Sequence, residues 1–257
     1  MTTLAARSVT VRRGGRTILD RVSIEAASGE FIAVIGPNGA GKSTFLAALA
    51  GLERPTEGHV ELEGQPLQRL APRMLALRRA YLPQNPRCEW PISVERLVAL
   101  GLTPILPAIG KLPAAHVLRI DEALRLCDLF DQRLQAVTTL SGGELARAML
   151  ARAMVGQPEI LIVDEPVAGL DPRHALDATQ RLAAYSRAGR LVIASMHDLT
   201  LAARYASRVL AMTVGRAIGD GPMATTLTAA LVKETFGVEA CVSGEGESRY
   251  VDYRSAG

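Results

Sequence analysis

The sequence predicts an α/β fold built on a parallel sheet, with a partly antiparallel sheet before it and a helical insert within it. Three observations carry this. Residues 31–35 (Phe-Ile-Ala-Val-Ile), 160–163 (Ile-Leu-Ile-Val) and 191–194 (Leu-Val-Ile-Ala) are short, continuously apolar runs, the pattern of strands buried on both faces. The last two are separated by an Ala-rich helical pattern over about 174–187, giving the strand, crossover helix, strand order of a parallel sheet. The 257-residue chain is 48% apolar and 21% charged, ample for a large core. That length sits near the upper limit for one compact unit, so one domain with an appended subdomain is expected.

In chain order, β-like runs at 8–11, 18–24, 31–35 and 59–62 are punctuated by Gly14-Gly15 and Ser28-Gly29. They predict an N-terminal sheet with an antiparallel edge. A helix follows over 43–52. Between 85 and 139 the texture turns helical, with Leu118, Ile120, Leu124 and Cys127 spaced along 117–130. Residues 85–139 are therefore expected to form a helical subdomain inserted in a core made of 1–84 and 140–257. Helices over 144–155 and 201–207, a strand pair around 209–210 and 216–218, and a polar tail complete the expectation.

Composition excludes several functions. Lys plus Arg number 29 and Asp plus Glu 26, and this net +3 is scattered, so no electrostatic footprint for nucleic acid is present. Cys88, Cys127 and Cys241 are odd in number and form no CxxC pair, which argues against a disulfide framework or a cysteine metal site and for a reducing compartment. No apolar run reaches the roughly 18 residues of a membrane span, and the first 13 residues lack a secretory core, so a soluble chain is expected. An uncharged stretch over 97–110, broken by Pro104 and Pro107, has two readings: an exposed docking patch, or filling for the core of the helical insert.

The chemistry begins where the first buried strand ends. Gly36-Pro37-Asn38-Gly39-Ala40-Gly41-Lys42-Ser43-Thr44 satisfies G-x-x-x-x-G-K-[ST] between a strand and a helix. The glycines let the backbone close around an anion with its N–H groups and a helix N-terminus facing phosphates. Lys42 would neutralise the β- and γ-phosphates of a nucleotide, and the Ser43 hydroxyl would hold Mg²⁺. A Gly-rich turn without a ligand needs neither Lys nor Ser at these offsets. At the end of the second apolar run stand Asp164 and Glu165: Asp164 at the sheet edge to support Mg²⁺, Glu165 on the other side of the pleat to polarise a water.

Leu140-Ser141-Gly142-Gly143-Glu144 resembles the signature of ATP-binding cassette (ABC) ATPases, and Ser141 lies 99 residues after Lys42 and 23 before Asp164, in the family's order. The resemblance extends from about residue 4 to 240. It implies an α/β P-loop NTPase fold with a mixed core sheet, an N-terminal antiparallel β subdomain and an inserted helical subdomain. It also implies a homodimer in which residues 140–144 of one chain reach ATP held by the other, Gln84 as the Q-loop contact to Mg²⁺ and the attacking water, Asp171 in the D-loop, and His197 as the switch histidine on the γ-phosphate. His59, His116 and His174 have no such context and read as ordinary surface or core residues. Two departures stand out: Arg13 occupies the place of the usual adenine-stacking aromatic, and Ala168 replaces a frequent serine.

Within the family, residues 197–209 and Thr235-Phe236-Gly237-Val238 are similar to the bacterial importer branch for ferric siderophores, haem and vitamin B12, while 90–94 echoes zinc and manganese importers. The resemblance therefore implies an ATPase subunit on the cytoplasmic face of the bacterial inner membrane, docked on transmembrane permease subunits and served indirectly by an external substrate-binding protein. A zinc or manganese importer, or a soluble cassette of the iron–sulfur scaffold type, is the alternative. A P-loop kinase or GTPase has no use for residues 140–144 or His197.

Overall fold

The computed structural model describes residues 1–106 and 113–254. The chain runs β1 (Thr3–Arg13), β2 (Arg16–Ala27), β3 (Phe31–Ile35), α1 (Lys42–Leu49), β4 (Glu57–Leu62), β5 (Gln65–Pro66), α2 (Pro72–Arg78) and β6 (Arg79–Leu82). There follow α3 (Val94–Ala99), α4 (Ala114–Leu126), α5 (Gly142–Met154), β7 (Ile160–Asp164), α6 (Pro172–Arg187), β8 (Leu191–Ser195) and α7 (Leu199–Tyr205). The end of the chain forms β9 (Arg208–Thr213), β10 (Arg216–Pro222), α8 (Met223–Thr226), α9 (Ala229–Phe236), β11 (Glu239–Ser243) and β12 (Tyr250–Arg254).

The core sheet has the order β10-β9-β3-β8-β7-β6, with β10 antiparallel and the other five parallel. Its central strands β3, β7 and β8 are buried on both faces, as the continuous apolar runs require. In β3, Phe31, Ala33 and Ile35 pack towards α5, α6 and α7, while Ile32 and Val34 pack towards α1 and the antiparallel sheet β2-β1-β4-β5. The two-residue alternation of a strand thus splits one apolar run between two cores. Parallel strands bring their carboxyl ends to a single edge, and that edge receives the segments after β3, β8, β7 and β6. This is where ligands bind in open α/β sheets.

The uncharged stretch fills the interior. Leu97, Val98 and Leu102 are fully buried, and Ile105 and Leu106 pack partly against the same core, while Leu100 and Thr103 are exposed. Residues 107–110 lie outside the described residues. The docking reading fails for the buried side chains because α3 turns them onto α4 and α5.

The polar tail is a correction. Instead of a tail, α9 packs against β9 and the hairpin β11-β12 folds back onto α7: the Val251 N–H donates to Thr200 Oγ1 (3.1 Å), Arg204 Nε donates to the Arg249 carbonyl (2.8 Å), and Arg249 itself caps the carbonyls of Met223, Ala224 and Leu227. The segment is held by side chains satisfying backbone, which hydrophobic periodicity does not register. All three cysteines are free, and burial pushes the Cys127 thiol up to about 12.

Candidate active site

The phosphate loop is shaped by steric necessity at two of its glycines. Gly41, at φ +95, precedes α1, and a Cβ there would lie 2.8 Å from Leu19 Cδ2 and 2.9 Å from the Ile18 carbonyl. At Gly36 a Cβ would run into the Met212 carbonyl at 2.2 Å. Only glycine lets the loop pass this closely between β2 and β9. Because Gly41 caps α1 without a side chain, the first N–H groups of the helix keep no side-chain acceptor. Lys42 is buried, and its Nζ donates to the carbonyls of Gly36 (2.8 Å) and Pro37 (3.2 Å). Burial pulls its pKa down, and the nearby carboxylates of Glu165 and Asp164 oppose that pull. Ser43 is exposed at the same helix end.

Asp164 closes β7 and is buried at 3% exposure; its Oδ1 accepts from the Ser195 hydroxyl at 2.6 Å. Glu165 does not continue the pleat. It turns out of the strand at φ +52, and its backbone N–H donates to Ser195 Oγ at 2.8 Å. Its carboxylate is bracketed: Gln84 Nε2 donates to Oε2 at 2.6 Å, and His197 Nε2 faces Oε1 at 2.5 Å. Three elements separated by 81 and 32 residues therefore converge on one carboxylate.

Sequence reasoning missed Ser195. Its signal was the equal length of the two apolar runs: paired from their first residues, Ile160 with Leu191, they put Asp164 opposite Ser195, which is the observed register.

Ser141 caps α5 in a capping box. Glu144 N donates to Ser141 Oγ (3.3 Å), while Ser141 N and Oγ both donate to Glu144 Oε2 (2.8 Å each), holding that carboxyl below its usual range. The N–H groups of Gly142 and Gly143, at the first two helical positions, have no partner within the helix. Gly142 borders a cleft of about 290 Å³ together with Gln84, Asp164 and Glu165. Among the described residues, no lining group of that cleft comes from the phosphate loop.

Asp171 caps α6 through the His174 N–H at 3.0 Å, and its other oxygen lies 2.5 Å from His174 Nδ1. These bonds, the backbone one first, hold the Asp171 carboxyl below its ordinary value. His174, expected to be an ordinary histidine, thus clasps the cap of α6. Arg13, at the end of β1, is engaged in an ion pair with Glu53 beyond α1.

The oxygen donors Ser43, Asp164 and Gln84 suit a hard cation such as Mg²⁺, which keeps few protein ligands and shares phosphate oxygens. No group of three or more His, Cys, Asp or Glu side chains able to hold a softer metal occurs among the described residues.

A profile of the ABC transporter family matches residues 19–168. The chain belongs to the ABC transporter family. Relatives of the cassette include the hemin import ATP-binding protein HmuV of Rhodopseudomonas palustris, 41% identical over 248 residues, covering 93% of this chain and 90% of that one. Another, HmuV of Nocardia farcinica, is 43% identical and covers 91% and 82%. Among solved structures, a dimeric post-hydrolysis ATP-binding cassette bound to ADP and phosphate superposes at TM-score 0.75 with 25% identity, covering 86% of this cassette and 98% of that chain. A metal-chelate type ABC transporter in an inward-facing conformation superposes at 0.83, covering 99% and 97%; at 20% identity it speaks for the fold alone. The cassette is an ATPase coupled to transport.

Proposed function

We propose that this cassette is the ATP-hydrolysing subunit of a bacterial importer for haem, working as a homodimer on the cytoplasmic face of the inner membrane. Its partners in that reading are transmembrane permease subunits and, indirectly, an external substrate-binding protein. The substrate class rests on the hemin importers that match the cassette along nearly its whole length. Among the described residues no helix is long and apolar enough to cross a membrane, so attachment through the permease is part of the proposal.

For hydrolysis, the observation that carries the reading is the carboxylate of Glu165 bracketed by Gln84 and His197. Each Glu165 oxygen holds one donor and keeps a lone pair, so the carboxylate is oriented and still able to accept a proton from water. Residues 36–44 wrap the phosphates, with Lys42 exchanging its two carbonyl partners for phosphate oxygens. Mg²⁺, when bound, supplies charge neutralisation across the phosphates, with Ser43, Gln84 and Asp164 as its protein contacts. His197 is suited to the γ-phosphate because Glu165 fixes one ring nitrogen. The free N–H groups of Gly142 and Gly143 suit a phosphate presented by a second chain, with Leu140, Ser141 and Glu144 building the turn and Asp171 shaping the D-loop alongside. Arg13 lies against the adenine in this reading, and residues 85–139 act as a subdomain distinct from the core.

The test is reconstitution with the permease in proteoliposomes. Haem accumulation that requires ATP and vanishes with Glu165→Gln supports the proposal; ATPase activity with no haem movement, but with transport of a divalent metal, overturns the substrate class.

A further inference from the structure

Ser195 is fully buried at the last rung of the β7–β8 ladder, facing Asp164. One hydroxyl does two things there. It donates to Asp164 Oδ1 at 2.6 Å and accepts the Glu165 backbone N–H at 2.8 Å. Beyond that rung β7 leaves the sheet, because Glu165 adopts φ +52, a conformation that side chains other than those of Gly, Asn and Asp seldom take. The N–H that would otherwise lose its ladder acceptor finds the hydroxyl instead, and the buried Asp164 oxygen finds its donor in the same group.

We infer that Ser195 is a positioning residue for hydrolysis: its hydroxyl ties the Asp164 carboxylate to the Glu165 backbone and so sets the direction of the Glu165 side chain. The geometry explains why adjacent acids serve separate tasks. Asp164 stays at the sheet edge beside the phosphate loop, while Glu165 swings to Gln84 and His197. Only a group that donates and accepts at once can hold both ends. Alanine leaves two buried polar groups without a partner, and valine adds bulk without a hydroxyl. This inference rests on the reading of Glu165 as the base.

The test compares Ser195→Ala, Ser195→Val and Ser195→Thr in the full-length protein, following steady-state hydrolysis, KM for ATP and ATP-driven dimer formation. Thr and Val have nearly the same shape, so their difference isolates the hydroxyl. The expected result is a kcat about 10- to 100-fold lower in the Ala and Val proteins, the usual effect of losing a partner that orients a reacting group. KM and dimer formation should stay near native, and Thr should turn over faster than Val. Native kcat in Ala and Val, or equal rates in Thr and Val, overturns the inference. So does a loss of ATP-driven dimers in proportion to kcat, which marks a purely structural role. Glu165→Gln serves as the companion measurement: if it too hydrolyses ATP at the native rate, the reading of Glu165 itself is what fails.

Discussion

Two parts of the cassette carry the proposed phosphate chemistry, and they are finished to different degrees. At the carboxyl edge of the core sheet, Gln84, Asp164, Glu165, Ser195 and His197 are already bonded to one another across three strands. The turn at residues 140–144 makes, among the described residues, no side-chain hydrogen bond beyond its own Ser141 and Glu144 capping box. One region is assembled by folding; the other is a helix N-terminus whose first N–H groups are left to water or to an incoming acceptor. A chain that folds half of its site complete and leaves the other half open fits a machine that operates only when two copies meet.

The largest effect expected at the assembled edge comes from Glu165→Gln, which should lower kcat by roughly 10²–10⁴ while ATP binding remains, the range for removing a general base. Rapid-quench hydrolysis with a parallel filter-binding assay checks it; native turnover would dissolve the contrast between the two regions.

Lys42→Met sharpens the comparison by separating stability from function. Burial holds the Lys42 pKa below its unfolded value, so the cost of burying the ammonium is full below the folded value and fades as the pH rises through it towards the unfolded one. The variant should lose nucleotide binding while the nucleotide-free protein melts at the same temperature or about 2–4 °C higher, the shift that about 1 kcal/mol produces in a domain of this size. Calorimetry with and without ATP reads both.

Arg13→Tyr is a smaller change. Arg13 is held by Glu53, and a tyrosine stacked on adenine should tighten ATP binding about 3- to 10-fold, from the 0.5–1.5 kcal/mol of an aromatic stack. Unchanged affinity in equilibrium titration would remove Arg13 from the nucleotide site.

The smallest effect concerns acid. Hydrogen bonds from Ser141, the backbone one first, depress the Glu144 carboxyl below its usual 4.5. Its contribution to the cap is therefore full above the unfolded value and disappears as the pH falls through the folded one. The protection of the Ser141 amide, its exchange measured against the intrinsic rate at each pH, should fall below about pH 4.5, and Glu144→Gln, which keeps an acceptor, should abolish that pH dependence.

Much of the fold and site was legible because chemistry-bearing residues stand where an apolar run ends: 36–44 after β3, Asp164 and Glu165 at β7, His197 after β8. The rest depended on pairings that hydrophobic pattern does not report. Ser195 gains its role from register across two parallel strands. His174 gains its role from capping geometry. The hairpin β11-β12 looked like a polar tail because Arg204, Thr200 and Arg249 hold it by binding main-chain atoms. Residues 97–106 were ambiguous by nature, since an apolar side chain has the same letter on a docking face and inside a core; α3 decided in favour of the core.

The two-copy account meets its most direct test in the mass of the Glu165→Gln protein in Mg²⁺ and ATP, determined by sedimentation equilibrium with and without an added Ser141→Arg change. The account predicts a dimer retaining two nucleotides that falls back to monomers when Ser141 is replaced. A monomer that retains its ATP, or a dimer indifferent to Ser141, would contradict it.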